Sequence, residues 1–344
     1  MWGDGLDAEE KKAHLISEGK IFIPQETRLP FPLSKSTAGP GAGSAAIALG
    51  FGGTRVKLAV NREPSRFSLA LKASGGYAIL DGGKPFIENV QVLKNPAHAP
   101  EQCFVNIHSH CIFNCAFCNS PRIREAGRKP EQVADFIVKT CKENDFRAVA
   151  ITSAVPETID KQADEFIFVI REVRKTLPNV IIGVEPYAET REQIRRLKEA
   201  GADEIKLNIQ AATSGILAKV CPGFDYEKSL ALIADAVQVF GKGKVTSNII
   251  FGFGESDENV LECAEALAAA SCIPTLRALR VNDLNRASLK EALGFEPEAP
   301  SPERILRLAE AQKKIMEKYG LTTKSMETMC CRCLCCDIVP FYDL

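Results

Sequence analysis

The 344-residue sequence carries 43 basic and 44 acidic side chains, a formal charge of −1, and 13 cysteines. Charges of both signs are mixed along the chain, so no basic tract supports nucleic-acid binding through phosphate neutralisation. No apolar run reaches the roughly 18 to 20 residues of a membrane helix, and Met1 to Lys20 lack the apolar centre of a signal peptide, so a cytoplasmic protein is expected, with no membrane partner. In that compartment disulfides are rare, and the five cysteines packed between Cys330 and Cys336 point instead to metal chemistry.

Taken in chain order, residues 1–100 form an N-terminal appendage. A helix-compatible polar stretch leads into a small-residue loop, Ser34 to Ser44, which reads as a connection or a lid. Parts of Ala45 to Val60, then Phe67 to Ala73 and Tyr77 to Leu80, alternate between glycine turns as the short antiparallel strands of a small β domain do. From residue 101 to about 320 the pattern switches to apolar strands alternating with amphipathic helices, which selects a parallel sheet with right-handed crossovers. Strands are expected near Phe104–His108, Arg147–Ser153, Asn179–Glu185, Glu204–Ile209, Val245–Phe251 and Leu276–Val281. A seventh is expected at Leu321–Thr328, opening a C-terminal segment, 321–344, that holds the cysteine-rich tail. Pro130, Ser256 and Ser301-Pro302 carry helix-start signals between them. The expected fold class is α/β, a partial or full TIM-like barrel with a small β appendage and a cysteine-rich tail. In such barrels chemistry sits just after the strands.

Cys111, Cys115 and Cys118 follow the first barrel strand. Three thiolates at spacings of four and three can ligate three irons of a [4Fe-4S] cube and leave the fourth iron open for a small molecule. A structural zinc site or packing cysteines are the plainer alternatives. This CxxxCxxC pattern, with Phe117 directly before the third cysteine, resembles the radical S-adenosylmethionine (SAM) superfamily. The resemblance implies a [4Fe-4S] cluster on Cys111, Cys115 and Cys118, SAM as cofactor, reductive cleavage to a 5'-deoxyadenosyl radical, and a one-electron donor such as ferredoxin or flavodoxin.

The same resemblance extends to later strand ends. Ile151-Thr152-Ser153 is similar to the corresponding run of lipoyl synthases, and Thr152 and Ser153 stand where the family binds the SAM amino group. Glu185 ends the third strand and offers an acceptor to the ribose or amino group. Leu197 to Asp203 followed by Asn208-Ile209-Gln210 resembles a biotin synthase segment, with Gln210 replacing that family's aspartate. Ile249 to Glu255 resembles the family's GxIxGxGE strand, which makes Gly252 and Gly254 candidates for supporting adenine. Arg277 and Arg280 are placed to meet a carboxylate or a cluster, or to form surface salt bridges; His108 and His110 read as structural histidines.

The tail residues Cys330, Cys331, Cys333, Cys335 and Cys336 are candidates for a second metal centre, either an auxiliary iron–sulfur cluster or a mononuclear iron or zinc. Adjacent cysteines tend to point apart, which limits how many share one centre. Three functions remain open. The first is radical C-methylation of a protein side chain, such as a glutamine of methyl-coenzyme M reductase, which calls for cobalamin; the small-residue loop, the β appendage and the tail resemble methanogen proteins of the biotin-synthase-related branch. The chain lacks a DxHxxG cobalamin motif. The second is sulfur insertion of lipoyl or biotin synthase type, and the third a non-catalytic metal-binding protein.

Overall fold

The computed structural model describes residues 5–344 except 74, 125 and 126; the first four residues of the N-terminal segment lie outside the described residues. Helix α1 (Ala8–Glu18) starts where the Glu10 carboxylate accepts from the Asp7 N–H at 2.7 Å, and it ends at Gly19, left-handed at φ +71°. Strands β1 (Lys20–Phe22), β2 (Ser34–Lys35), β3 (Ala45–Phe51), β4 (Thr54–Asn61), β5 (Phe67–Leu71), β6 (Tyr77–Asp81) and β7 (Lys84–Val92) follow. They run in the order β3-β4-β1-β5-β6-β7, and β7 pairs back onto β3 at Leu49–Val92, so six strands close into a ring with β2 added outside β3. The expected β hairpins are present, but closure depends on β1, which inserts parallel to both β4 and β5. Leu49, Val56, Leu58, Phe67, Leu69 and Ile79 fill the ring and are buried. Removing such alternating apolar faces from water is the main force that holds a small ring together.

The second sheet is parallel throughout: β8 (Cys103–Asn106), β9 (Ala148–Thr152), β10 (Ile181–Glu185), β11 (Glu204–Lys206), β13 (Val245–Phe251) and β14 (Ile273–Ala278), in that spatial order. Strand β12 (Gln210–Ala211) also pairs with β13, continuing the line of β11 after a break at 207–209. The break ends on Gln210, left-handed at φ +68°. No pairing joins β8 to β14, so the six-stranded arc stays open on one side. Between the strands lie α2 (Pro130–Asn144), α3 (Ile159–Thr176), α4 (Arg191–Ala200), α5 (Ser214–Val220), α6 (Tyr226–Phe240), α7 (Asp257–Ala269), α8 (Arg286–Leu293) and α9 (Pro302–Lys318). Ser256 and Ser301 cap α7 and α9 through the N–H groups of Asn259 and Arg304. The outward faces of the strands, such as Val149, Ile151, Ile182 and Val184, join helix residues Val133, Ile137, Phe166 and Ile170 in one core.

The expected seventh strand is not formed. Over 321–328 the chain makes a single 3-10 turn, Thr323–Ser325, and then enters α10 (Met329–Cys333). The reason lies in side chains that take the backbone groups a neighbouring strand would have used. The buried Glu204 carboxylate accepts from the N–H groups of Glu327 and Thr328 and from the Thr328 hydroxyl, and the Gln102 amide both donates to and accepts from the Met329 backbone. Gly183 on β10 makes room: a Cβ there would lie 2.0 Å from Thr328 Oγ1. The tail therefore fills the concave side of the arc. It then crosses to the β ring, where Lys57 N–H donates to Cys335 O at 2.8 Å and Lys12 Nζ bonds both Leu334 O and Asp343.

Candidate active site

The loop after β8 is held from three directions. Ile112 N–H donates to Val155 O at 2.8 Å, Ala116 N–H to Val220 O at 2.7 Å, and the Asn285 amide to Phe117 O at 2.9 Å. Arg122 donates to Cys118 O, and Ser120 N–H points at Cys118 Sγ at 3.4 Å. Pinned in this way, Cys111, Cys115 and Cys118 line one cavity of about 260 Å³ at the C-terminal ends of the strands. Burial pushes the Cys118 thiol up to about 11 and raises Cys111 as well; Cys115 lies well above the ordinary thiol range, chiefly through its hydrogen bond with Cys221 and then through burial. Three desolvated sulfurs that resist ionisation when alone suit a cationic inorganic partner that compensates their charge. Among the described residues no three His, Cys, Asp or Glu side chains converge on a single ion. In a cube each thiolate binds a different iron, which holds the sulfurs apart by the width of the cluster. Three cysteines on one cavity wall match a [4Fe-4S] cluster with one open iron, whereas a structural zinc site takes four protein ligands.

The rest of the cavity comes from later strand ends. Phe117, Thr152, Ser153, Glu185, Asn208 and Gln210 all line it. Asn208 organises them: its Nδ2 donates to Glu185 Oε1 at 2.8 Å, and its Oδ1 accepts from Asn248 N–H at 3.0 Å. Gly252 and Gly254 are not among the lining residues. Their left-handed backbone forms a turn whose N–H groups, at Gly252 and Phe253, are gathered by the Glu255 carboxylate, itself paired with Arg304. From this run only Ile250 faces the cavity. His108 pairs with Glu165, His110 bonds Ile123 O, and neither lines the cavity.

Sequence reasoning passed over Lys206 and Asn248. Lys206 lies 3.5 Å from Glu185 and 3.4 Å from Cys330 Sγ. Burial opposes its charge, yet Cys330 and Glu185 raise its pKa above the ordinary lysine value. Asn248 is buried with an unpartnered Oδ1, and the residue lines the cavity. A signal was present: Glu204, Lys206, Asn208 and Gln210 are polar at every second position, the period of one strand face.

The five tail cysteines do not converge. Cys330, Cys333 and Cys336 line the cavity opposite the loop. Cys331 points the other way, into an apolar cluster with Ile273, Met316, Leu321 and Met326, and Cys335 packs with Ala99 while its thiol donates to Cys333 O. Within α10 the helical turn separates Cys330 from Cys331, since neighbouring residues on it face different directions. Arg277 is half-buried against the tail, donating to Cys330 Sγ at 2.8 Å and pairing with Asp337 at 3.0 Å. Arg280 bonds Cys336 O at 3.3 Å. Neither arginine forms the surface salt bridge considered as an alternative.

The class follows from this geometry. Residues 105–267, just under half of the chain, match the family described as Radical SAM superfamily. The family implies a [4Fe-4S] cluster and SAM as the cofactors, and its enzymes need a one-electron donor. The lipoyl synthase of Pasteurella multocida is 24% identical over 168 residues, 48% of this chain and 52% of that protein. The chain thus spans about half the length of the curated relatives it matches. Among solved structures, methylornithine synthase superposes with a TM-score of 0.51 at 17% identity, covering 64% of this chain and 69% of that one. The FeFe-hydrogenase maturase HydG from Carboxydothermus hydrogenoformans gives 0.50 at 16%, covering 63% and 52%. At such identities the likeness is one of fold. Among the described residues no helix is long and apolar enough to cross a membrane.

Proposed function

We propose that the chain cleaves SAM reductively, abstracts hydrogen from an unactivated carbon of a separate substrate, and inserts sulfur there. The observation that carries the sulfur-insertion reading is the second wall of the cavity. Cys330, Cys333 and Cys336 face the Cys111–Cys115–Cys118 loop at the C-x2-C-x2-C spacing that holds iron–sulfur clusters in ferredoxin-type runs. Similarity to lipoyl synthases supports the same reading. On this assignment the first three cysteines hold the SAM-binding cluster, which when bound supplies the electron for cleavage. Thr152, Ser153, Glu185, Asn208 and Gln210 orient SAM through hydrogen bonds, and Phe117 and Ile250 provide apolar surface for adenine. The tail cysteines hold the sulfur source. Arg277 and Lys206 compensate its negative charge by donating toward Cys330.

Expectation from sequence placed C-methylation of a protein side chain first, and no feature of this cavity favours that reaction or its cobalamin. One experiment separates the readings: anaerobic reconstitution with iron, sulfide and cobalamin, followed by metal and sulfide quantification and an assay of 5'-deoxyadenosine. Two clusters and no cobalt are expected. Retained cobalamin with one cluster would restore methylation, and two clusters with no SAM cleavage on reduction would leave only a metal-binding protein.

A further inference from the structure

The three loop cysteines all meet hydrogen-bonding groups, and one of those groups stands outside the loop's pattern. The Cys118 sulfur accepts from the Ser120 N–H at 3.4 Å, and the Cys111 sulfur from the N–H groups of Val155 and Phe113. Such backbone donors come with the loop and its neighbouring turn. Cys115, besides its own N–H, is hydrogen-bonded to the thiol of Cys221, which closes α5 far along the chain. The cysteine motif gives no sign of this fourth sulfur.

The backbone sets the place of Cys221. Its N–H donates to Leu217 O at 2.8 Å and its carbonyl accepts from the Phe224 N–H at 3.1 Å. One residue earlier, Val220 O accepts from the Ala116 N–H at 2.7 Å, which ties the neighbour of Cys221 to the neighbour of Cys115. Leu217, Val220, Phe253 and Leu289 pack in one cluster with the two cysteines, and Cys221 is fully buried. Cys115 lines the cavity and Cys221 does not, so the second thiol stands behind the first rather than in the space a cluster would fill. A buried cysteine elsewhere is a small apolar filler. This one is bonded to a sulfur that the loop offers to iron.

A sulfur bound to iron is a thiolate and can only accept, so in the loaded protein the proton between the two sulfurs belongs to Cys221. We propose that Cys221 is a positioning residue for SAM cleavage: its S–H donates to the Cys115 sulfur and makes the loop's cluster easier to reduce. The physical reason is charge. A reduced cluster is one unit more negative than an oxidised one, so it holds a donated hydrogen bond more strongly, and hydrogen bonds to its sulfurs are among the factors that set its potential. The inference rests on the reading above that this loop holds the cluster that cleaves SAM, and it deepens that reading by naming a side chain that governs the electron's arrival.

The test is a potentiometric titration of the reconstituted full chain, followed on the EPR signal whose shape changes when SAM is added, which separates the loop's cluster from one on the tail. Cys221→Ala should make reduction about tenfold less favourable, or about 59 mV for a one-electron couple, the size of one hydrogen bond. Cys221→Ser keeps a donor and should stay within about threefold of the unaltered protein. Iron and sulfide content should be equal in all three, because Cys221 is not a ligand. A potential unmoved by Cys221→Ala overturns the proposal and leaves Cys221 a packing residue. An equal fall in the Ala and Ser variants also overturns it, since repacking alone then accounts for the change. Where Cys221→Ala holds no cluster, Cys221→Thr against Cys221→Val repeats the comparison at matched shape, and equal potentials in that pair overturn the proposal. If no signal responds to SAM, the reading of the loop as the SAM-cleaving site falls and this proposal falls with it; a SAM-responsive signal with an unmoved potential removes this proposal alone.

Discussion

Two cysteine-rich segments face each other across the cavity, and they obey different rules. The loop of Cys111, Cys115 and Cys118 brings all three residues to the wall of one cavity, because it has no regular structure of its own and is pinned by Val155, Val220 and Asn285. The tail is denser in cysteine, yet only Cys330, Cys333 and Cys336 reach the cavity, because a helical turn sends Cys331 into an apolar cluster. Cysteine density is thus a poorer guide to a metal site than the direction each residue's backbone imposes.

That contrast can be broken at several points. Cys115→Ala should have the largest effect and abolish 5'-deoxyadenosine formation on reduction; any residual cleavage would mean that the loop does not hold the cluster. On the tail, Cys333→Ala should spare SAM cleavage while lowering the iron content of reconstituted protein by about half and blocking product formation. Cys331→Ala should leave iron content unchanged, and an equal loss in both variants would contradict the sorting by α10. The tail's seat can also be loosened without touching a cysteine. Lys12 and Asp343 pair at 2.6 Å with both side chains buried, so Lys12→Met should cost about 3–5 kcal/mol in chemical denaturation, as the loss of one partner of a buried pair does. The smallest effect should come from Gly183→Ala, which sets a methyl against Thr328 and should cost about 1–3 kcal/mol. Both variants should keep the loop's cluster by absorbance while the tail's metal content falls.

Much of the site was legible because its residues sit where local patterns place them. β13 spans the same Val245–Phe251 expected from its apolar run, and the loop after β8 and the residues at the ends of β9 and β10 fall around the cavity. The unreadable parts are those decided by distant partners. β1 is three residues long and exists because β4 and β5 flank it. Leu321–Thr328 has the composition of a strand, but Glu204 and Gln102 claim its backbone groups. His98 and Asn106 take their orientation from Thr37, 61 and 69 residues away in sequence.

The plug inside the arc lies later in the sequence than every strand around it. A growing chain therefore completes all six parallel strands before the segment that fills them exists, and for that interval the interior is a bowl open to small molecules and carriers. Met329 and Leu334 are bent into left-handed turns at φ +55° and +59° where the tail meets those walls. The tail is thus the last part of this fold to be synthesised, and its seat is a surface made by strands that precede it.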